Sequence, residues 1–233
     1  MPTSTGSAAL PASSQLAVAG EFAVYAASAT EIPTLLDEIG RLREVTYRAV
    51  GEGTGQAIDL DAFDRHYTHL FLWDRTARKV AGAYRIGDVG RLVATQGVDG
   101  LYTHQLFRFD ERFVRELGPA LELGRSWIRP EYQKHHNALL LLWKGIGRFV
   151  VQHPSARVLF GPVSISSRYS DASHALLMAF LEQNYQDRSL AALVDARRPR
   201  QPAAIPEDVV LPATLAAADT LVSRLEADGK GVP

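Results

Sequence analysis

The chain has 233 residues, of which 46% are hydrophobic and 22% charged, with a formal net charge of −1, the balance of one substantial globular domain. That charge supplies no general field for nucleic acid, so any handling of anions is local. There is no cysteine, which excludes disulfides, thiolate metal sites and a cysteine nucleophile and makes the cytoplasm the expected compartment.

Residues 1–20 are rich in Ala, Ser, Thr, Gly and Pro without a period and are expected to form a flexible lead-in. The first residues lack the basic region of a signal peptide, and no apolar run reaches the length of a membrane span. A strand is expected at Glu21–Ala26. Ile32, Leu35, Leu36, Ile39, Leu42 and Val45 recur at helical spacing and read as one buried stripe of a helix opened by Pro33. That leaves Arg41, Arg43, Glu44, Tyr47 and Arg48 on flanking or open faces. Gly51–Gly55 breaks the helix into a mobile loop.

His69–Trp73 and Lys79–Ile86 read as two strands of a hairpin joined by the polar Asp74–Arg78. Residues 88–110 are expected to be an irregular insertion carrying Tyr102, Phe107 and Phe109. Pro119–Ile128 is the next strand, Asn137 caps a helix that runs through Val151, Arg157–Ser166 is a further strand, and Ala172–Asn184 a helix. A basic, proline-containing linker and a short helix within Leu211–Leu225 complete the chain. This order gives an α/β (α+β) fold with a mixed sheet and helices on its faces.

The most informative segment is Ala120–Pro130, which places an acid and a base near the end of a strand, then a basic turn and a helix start. Glu122 and Arg125 lie three apart, so on a regular strand they face opposite ways, and a bulge at Gly124 would bring them together. Glu122 reads either as a general base for an attacking amine or as a structural partner of Arg85 or Arg125. Arg129, Lys134 and the Asn137 helix start form an anion site or an ordinary capped helix. No Walker-type loop or GxGxxG run is present. The acidic cluster Asp59, Asp61 and Asp64 either binds a cationic amine or pairs with Arg43 and Arg85. His69 and Asp74 have the spacing of an HxxxxD acyltransferase motif, but they bracket a strand and no companion motif follows, so it is set aside. No histidine and carboxylate pattern completes a metal site.

Taken together, Leu42–Arg48, the three aspartates, Ala81–Arg85, Glu122–Ser126 and Leu159–Ser164 resemble, in order and spacing, the bacterial GNAT-like N-acyltransferases that make ornithine and related amino-acid lipids. They are more distantly similar to acyl-homoserine-lactone synthases. The resemblance covers about residues 20–186. It implies a GNAT-like three-layer fold with a mixed, mostly antiparallel sheet flanked by helices. It also implies a domain order of a flexible 1–20, an acyltransferase domain 21–186, and a linker and C-terminal segment 187–233 that is incomplete, since the resembling proteins continue into more sheet.

The activity implied is transfer of a fatty or 3-hydroxy fatty acyl group from acyl carrier protein to the amine of an amino acid such as ornithine. Glu122 and Arg125 are then catalytic, and Arg43, Asp61, Asp64 and Arg85 hold the acceptor. Ser126, Trp127, Arg129, Lys134 and Asn137 receive the thioester and phosphopantetheine arm. Trp127, Leu140, Trp143, Phe107 and Phe109 are candidate walls for the acyl chain. No cofactor and no metal are expected. The expected partners are acyl carrier protein, docked on Arg129, Lys134, Lys144 and Arg148, and an O-acyltransferase domain, with no nucleic acid. The location is cytoplasmic, and the Arg197–Arg200 run is either a solvated linker or a peripheral contact with the inner face of the membrane. A catalytically impaired carrier- or partner-binding domain and an autoinducer-synthase-type acyltransferase are the alternatives.

Overall fold

The computed structural model describes residues 12–134, 136–199, 205 and 210–232. In chain order the elements are β1 (Gln15–Ala19), β2 (Phe22–Ser28), α1 (Pro33–Ala49), a 3₁₀ turn Ala62–Arg65, β3 (Thr68–Asp74), β4 (Lys79–Asp88), α2 (Val89–Gln96), β5 (Phe107–Phe109), α3 (Phe113–Leu117) and β6 (Ala120–Ile128). There follow α4 (Pro130–Gln133), α5 (His136–Gln152), β7 (Val158–Phe160), α6 (Asp171–Tyr185), α7 (Arg188–Ala191), β8 (Val194–Ala196) and α8 (Leu215–Leu225).

The chain divides into two compact units. The first comprises the described residues up to His104 with Leu117–Pro162, and the second Gln105–Glu116 with the described residues from Val163 onward. This differs from the expected boundary at residue 186, because α6 groups with the C-terminal elements. Strand β1 occupies part of residues 1–20 and pairs with β2, and residues 1–11 lie outside the described set.

In the first unit six strands form a mixed sheet in the order β1-β2-β3-β4-β6-β7. Every pairing is antiparallel except that of β6 with β7, as the expected mixed, mostly antiparallel sheet requires. Alternation along the strands sends one set of side chains to each face. On one face Val24, Leu70, Leu72, Ile86 and Leu121 pack with Leu142, Ile146 and Phe149 of α5. On the other, Tyr25, Phe71, Ala83 and Trp127 pack with Ile39 and Leu42 of α1. Two apolar clusters on opposite faces of one sheet make three layers.

The β3–β4 hairpin closes as its sequence suggests. The Asp74 carboxylate accepts from the N–H groups of Thr76 and Ala77 at 2.9 and 2.7 Å, and Arg78 takes a left-handed φ of 54°. Helix α5 crosses β2 at Gly145, where any Cβ would run into the Val24 side chain.

The face of α1 departs from the periodic reading. Ile39 and Leu42 are buried as expected, but Val45 is half-exposed while Arg43 and Glu44 are almost wholly buried. The charges are tolerated because each is satisfied inside the protein. The Glu44 carboxylate accepts from the Thr54 N–H and hydroxyl at 2.8 and 2.6 Å and from the Gly55 N–H at 3.0 Å, and it pairs with Arg48 at 2.6 Å. The glycine-rich loop is therefore tied to the helix rather than free. Residues 88–110 are not irregular throughout either: α2 starts at Asp88, whose carboxylate accepts from the Arg91 N–H at 2.9 Å.

In the second unit β5 and β8 form a two-stranded antiparallel ribbon. There α6 and α8 pack through Leu176, Leu177 and Val222. Strand β7 is shorter than the expected Arg157–Ser166.

Two outcomes follow from this packing. Gly145→Val forces α5 away from β2 and lowers stability by about 1–3 kcal/mol, read as a lower denaturant midpoint. The Glu44 carboxyl is held below its ordinary value of 4.5, at about 2, first by the Thr54 hydroxyl and also by Arg48 and the loop N–H groups. Its contribution is complete above about pH 4.5 and is lost as pH falls toward 2. The melting temperature of Glu44→Gln is accordingly lower at neutral pH and flatter over that acidic window, in thermal melts followed by circular dichroism.

Candidate active site

Three elements of the first unit bring three arginines against three aspartates. Arg43 projects from the buried face of α1, where its Nη1 and Nη2 donate to the two carboxylate oxygens of Asp64 at 3.1 and 2.9 Å. Its Nε lies 3.1 Å from Asp59 Oδ2, and its Nη2 also meets the Asp59 carbonyl. Arg85, on β4, places Nη1 2.6 Å from Asp61 and 3.2 Å from Asp64. Arg125, on β6, places Nη2 3.2 Å from Asp61 and 3.9 Å from Asp59. The six charges sum to zero, which is what permits their burial.

The aspartates are presented by the turn that opens the 3₁₀ segment. Asp61 is its N-cap, accepting from the Phe63 N–H at 2.9 Å, while Asp64 reaches back to the Asp61 N–H at 2.8 Å, a reciprocal capping box. Burial alone would raise the Asp64 carboxyl, but the hydrogen bonds and charge of Arg43, with the charge of Arg85, hold it well below the usual carboxylate range. His69, beneath the cluster, places Nε2 2.8 Å from the Asp64 carbonyl. Burial pushes its pKa down.

The cluster has a closed part and an open part. Arg43, Asp59, Asp64 and Arg85 have side chains no more than 3% exposed, whereas Asp61 is 25% and Arg125 20% exposed. Only Asp61 and Arg125 are presented outward. The expectation that Asp64 and Arg85 contact an acceptor directly is thereby corrected. Asp64 is occupied by Arg43, and Arg85 is occupied by Asp61 and Asp64 and lies over the rings of Phe63, Tyr67 and Tyr102.

The bulge expected in β6 is present. Arg85 pairs with Gly124 and Ala83 with Trp127, so β6 carries one extra residue across this interval. The left-handed residue is Arg125, with φ 52°, and not Gly124. A non-glycine residue there is held by its surroundings: its guanidinium contacts Asp61 and lies 4.8 Å from the centre of the Tyr102 ring, while Tyr47 donates to the next carbonyl, that of Ser126, at 3.1 Å. Beyond the bulge, Ser126 is exposed and Trp127 buried. The buried Nε1 of Trp127 has no hydrogen-bond partner among the described residues.

Glu122 is 1% exposed. One oxygen accepts from the Thr103 N–H at 2.6 Å; the other accepts from the Tyr102 N–H at 3.2 Å and from the Tyr67 hydroxyl. It pairs with neither Arg85 nor Arg125 and is filled by donors from a distant loop, which sequence reading missed. Its task in this geometry is to fix Tyr102 over Arg85 and Arg125.

Strands β6 and β7 are paired at Ala120↔Val158, Leu121↔Leu159 and Glu122↔Phe160, and the pairing stops there while β6 runs on to Ile128. The parting point is tight, since a Cβ on Gly161 would collide with the Leu123 carbonyl.

The proposed donor-binding set is not assembled as expected. Arg129 is engaged by Glu131, with Nε 2.9 Å from its carboxylate. Asn137 lies inside the first turn of α5 rather than at its cap, because the helix begins at His136. Lys134 is exposed. Leu140 and Trp143 are about half-exposed on the outer face of α5, and Phe107 and Phe109 belong to β5 in the second unit. Asp74 accepts from Tyr132 at 2.6 Å, consistent with setting the HxxxxD spacing aside. Among the described residues no group of three or more metal-ligating side chains converges, and no helix is long and apolar enough to cross a membrane. Of the basic run, Arg197 and Arg198 are exposed, and Arg200 lies outside the described residues.

A mixed sheet whose sixth strand runs parallel and separates from its neighbour, with helices on both faces, makes a three-layer α/β domain. Residues 42–144 match the family model described as an acetyltransferase (GNAT) domain, the fold that this part of the chain carries. The chain is 34% identical over 177 residues to a glycine N(alpha)-acyltransferase of Phocaeicola vulgatus, covering 71% of this chain and 54% of that protein. It is 31% identical over 168 residues to an L-ornithine N(alpha)-acyltransferase of Brucella abortus, covering 70% and 56%. The chain thus spans about half the length of these curated relatives. Among solved structures, the AHL synthase LasI aligns with a TM-score of 0.43 at 17% identity, covering 61% of this chain and 72% of that one.

Removing one partner from the closed part leaves a buried charge uncompensated. Asp64→Ala is expected to cost about 3–5 kcal/mol, while Asp61→Asn, at the open edge, costs far less. Urea unfolding of the two variants measures the difference.

Proposed function

We propose that this chain carries the catalytic domain of an amino-acid Nα-acyltransferase, which transfers a fatty acyl group from a thioester donor to the α-amine of an amino acid in amino-acid lipid synthesis. The observation that carries this reading is the outward-facing pair Asp61 and Arg125 at the edge of an otherwise closed ionic cluster. One anion and one cation side by side match the ammonium and carboxylate of a free amino acid. The relatives' names, glycine and L-ornithine N(alpha)-acyltransferase, support the same acceptor class.

In this reading Asp61 accepts hydrogen bonds from the acceptor's ammonium and Arg125 donates to its carboxylate. The ammonium proton passes to bulk water past the exposed side of Asp61, since only a neutral amine attacks. The nitrogen adds to the thioester carbonyl, the C–N bond forms, the C–S bond breaks and the thiol leaves with a proton. The donor's acyl carbonyl lies where β6 and β7 part, beside the backbone of Ser126 and Trp127. A backbone N–H directed at the developing oxyanion there is worth about 3 kcal/mol.

Arg43, Asp64 and Arg85 act as positioning residues, because they hold Asp61 and Arg125 without reaching solvent. Glu122 is also a positioning residue here and not the proton acceptor. Acyl carrier protein is the proposed donor partner, with the exposed Lys134 offered to its phosphopantetheine phosphate. An O-acyltransferase partner and peripheral membrane contact belong to the same proposal.

The test is turnover of acyl carrier protein thioesters with glycine and ornithine, the N-acyl product being identified by mass spectrometry. Amide formation is expected, with Asp61→Asn raising KM for the amino acid about 10- to 100-fold, the loss of one charge-assisted hydrogen bond. Carrier binding without turnover would favour a binding module. Release of methylthioadenosine from S-adenosylmethionine would favour an autoinducer-synthase type. Loss of kcat in Glu122→Gln with an unchanged fold, alongside an unaffected Asp61→Asn, would return Glu122 to the role of base.

A further inference from the structure

Helix α5 is apolar on both sides. Its inner face fills the core through Leu142, Ile146 and Phe149, but Leu140 and Val151 on its outer face are 51 and 71% exposed, and Trp143 beside them, edge-on to the Tyr84 ring of β4, is 49% exposed. Large apolar side chains gathered on an exposed helix face mark an interaction surface. Next to it runs β1, the outer strand of the sheet, whose Val18 is 50% exposed. Between the two lies a groove of about 610 Å³ that includes Val18, Val151, Lys144 and Arg148. Lys144 and Arg148 stand one turn apart on the same exposed face.

Neither α5 nor β1 contains an acidic residue. Glu21, in the turn after β1, lines a smaller cavity together with Lys144. A half-exposed tryptophan and aliphatic side chains interleaved with cations, over a helix about 25 Å long, form the pattern that settles at a lipid–water interface.

We propose that the outer face of α5 with the edge of β1 is the surface by which this domain rests on an anionic bilayer. Leu140, Trp143 and Val151 enter the headgroup boundary, and Lys144 and Arg148 contact lipid phosphates. This deepens the peripheral contact named above by giving it a surface, and it assigns Lys144 and Arg148 to lipid rather than to the carrier protein. Two cations in a face otherwise apolar suit a bilayer better than a docking led by charge. An acyl transferase placed in this way would release its amphiphilic product directly into the membrane.

The experiment is co-sedimentation of the whole chain with vesicles of phosphatidylcholine alone and of phosphatidylcholine with phosphatidylglycerol, with tryptophan emission recorded alongside. The expected result is partition onto the anionic vesicles, weakened by salt, with a blue shift that Trp143→Phe removes. Lys144→Gln with Arg148→Gln lowers the partition constant about 30-fold, about fivefold for each cation. Leu140→Ser lowers it at both high and low salt, and all three variants keep the melting temperature of the parent chain. Absence of partition overturns the proposal. So does partition indifferent to all three variants, or the finding that these variants disrupt a dimer or carrier-protein binding instead. The measurement needs no turnover, so its failure leaves the acyl-transfer reading standing, and failure of the turnover test leaves this one standing.

Discussion

Arg43 is the interaction on which the site depends. A guanidinium 1% exposed in the side of a helix would be prohibitive alone, and it is tolerated because Asp59 and Asp64 close around it. Arg85 and Arg125 extend the same network from two neighbouring strands. The network ties α1 and the capped turn at Asp61 to the paired strands β4 and β6. Charge pairs with fixed distances give these elements a defined register. An apolar replacement of similar volume could match the stability, but it could not supply directed contacts at the surface edge.

From that closed base the open edge follows. Asp61 is fixed three times, by Arg85, by Arg125 and by the Phe63 N–H. Arg125 is fixed by Asp61, by the Tyr102 ring and by a backbone conformation that few side chains adopt. Glu122, on the same face of the sheet as Arg85, contributes by anchoring the loop that carries Tyr102. If this edge receives the acceptor as proposed, its contacts are already in place, and pre-organisation of this kind reduces the entropy lost on binding.

Much of the fold is legible in the residues. The Asp74–Arg78 turn between alternating strands, the proline-opened α1 and the apolar run of α5 are local patterns, and the structure places all three close to the expected bounds. The β6 bulge was legible as a need, since Glu122 and Arg125 require it to share a side, but its left-handed residue was not. Gly124 is the conformationally free residue by type, whereas long-range contacts of Arg125 decide the matter. The burial of Arg43 and Glu44 was hidden for the same reason: hydrophobic periodicity treats charge as surface, and only partners many residues away reverse it. The donors to Glu122 come from Tyr67, Tyr102 and Thr103, which no spacing rule connects to it. Helix α2 lacks a strong apolar run, and its sequence reads as irregular although Asp88 is a good cap.

The contact of Gly161 with the Leu123 carbonyl bears on how such a domain is tuned. The fork between β6 and β7 opens next to a residue that has no side chain to spare, so a single methyl group would move the fork's apex. In the proposed reading the acyl carbonyl lies at this fork, so the depth of its cleft would be set by backbone against backbone, independently of the ionic cluster beside it.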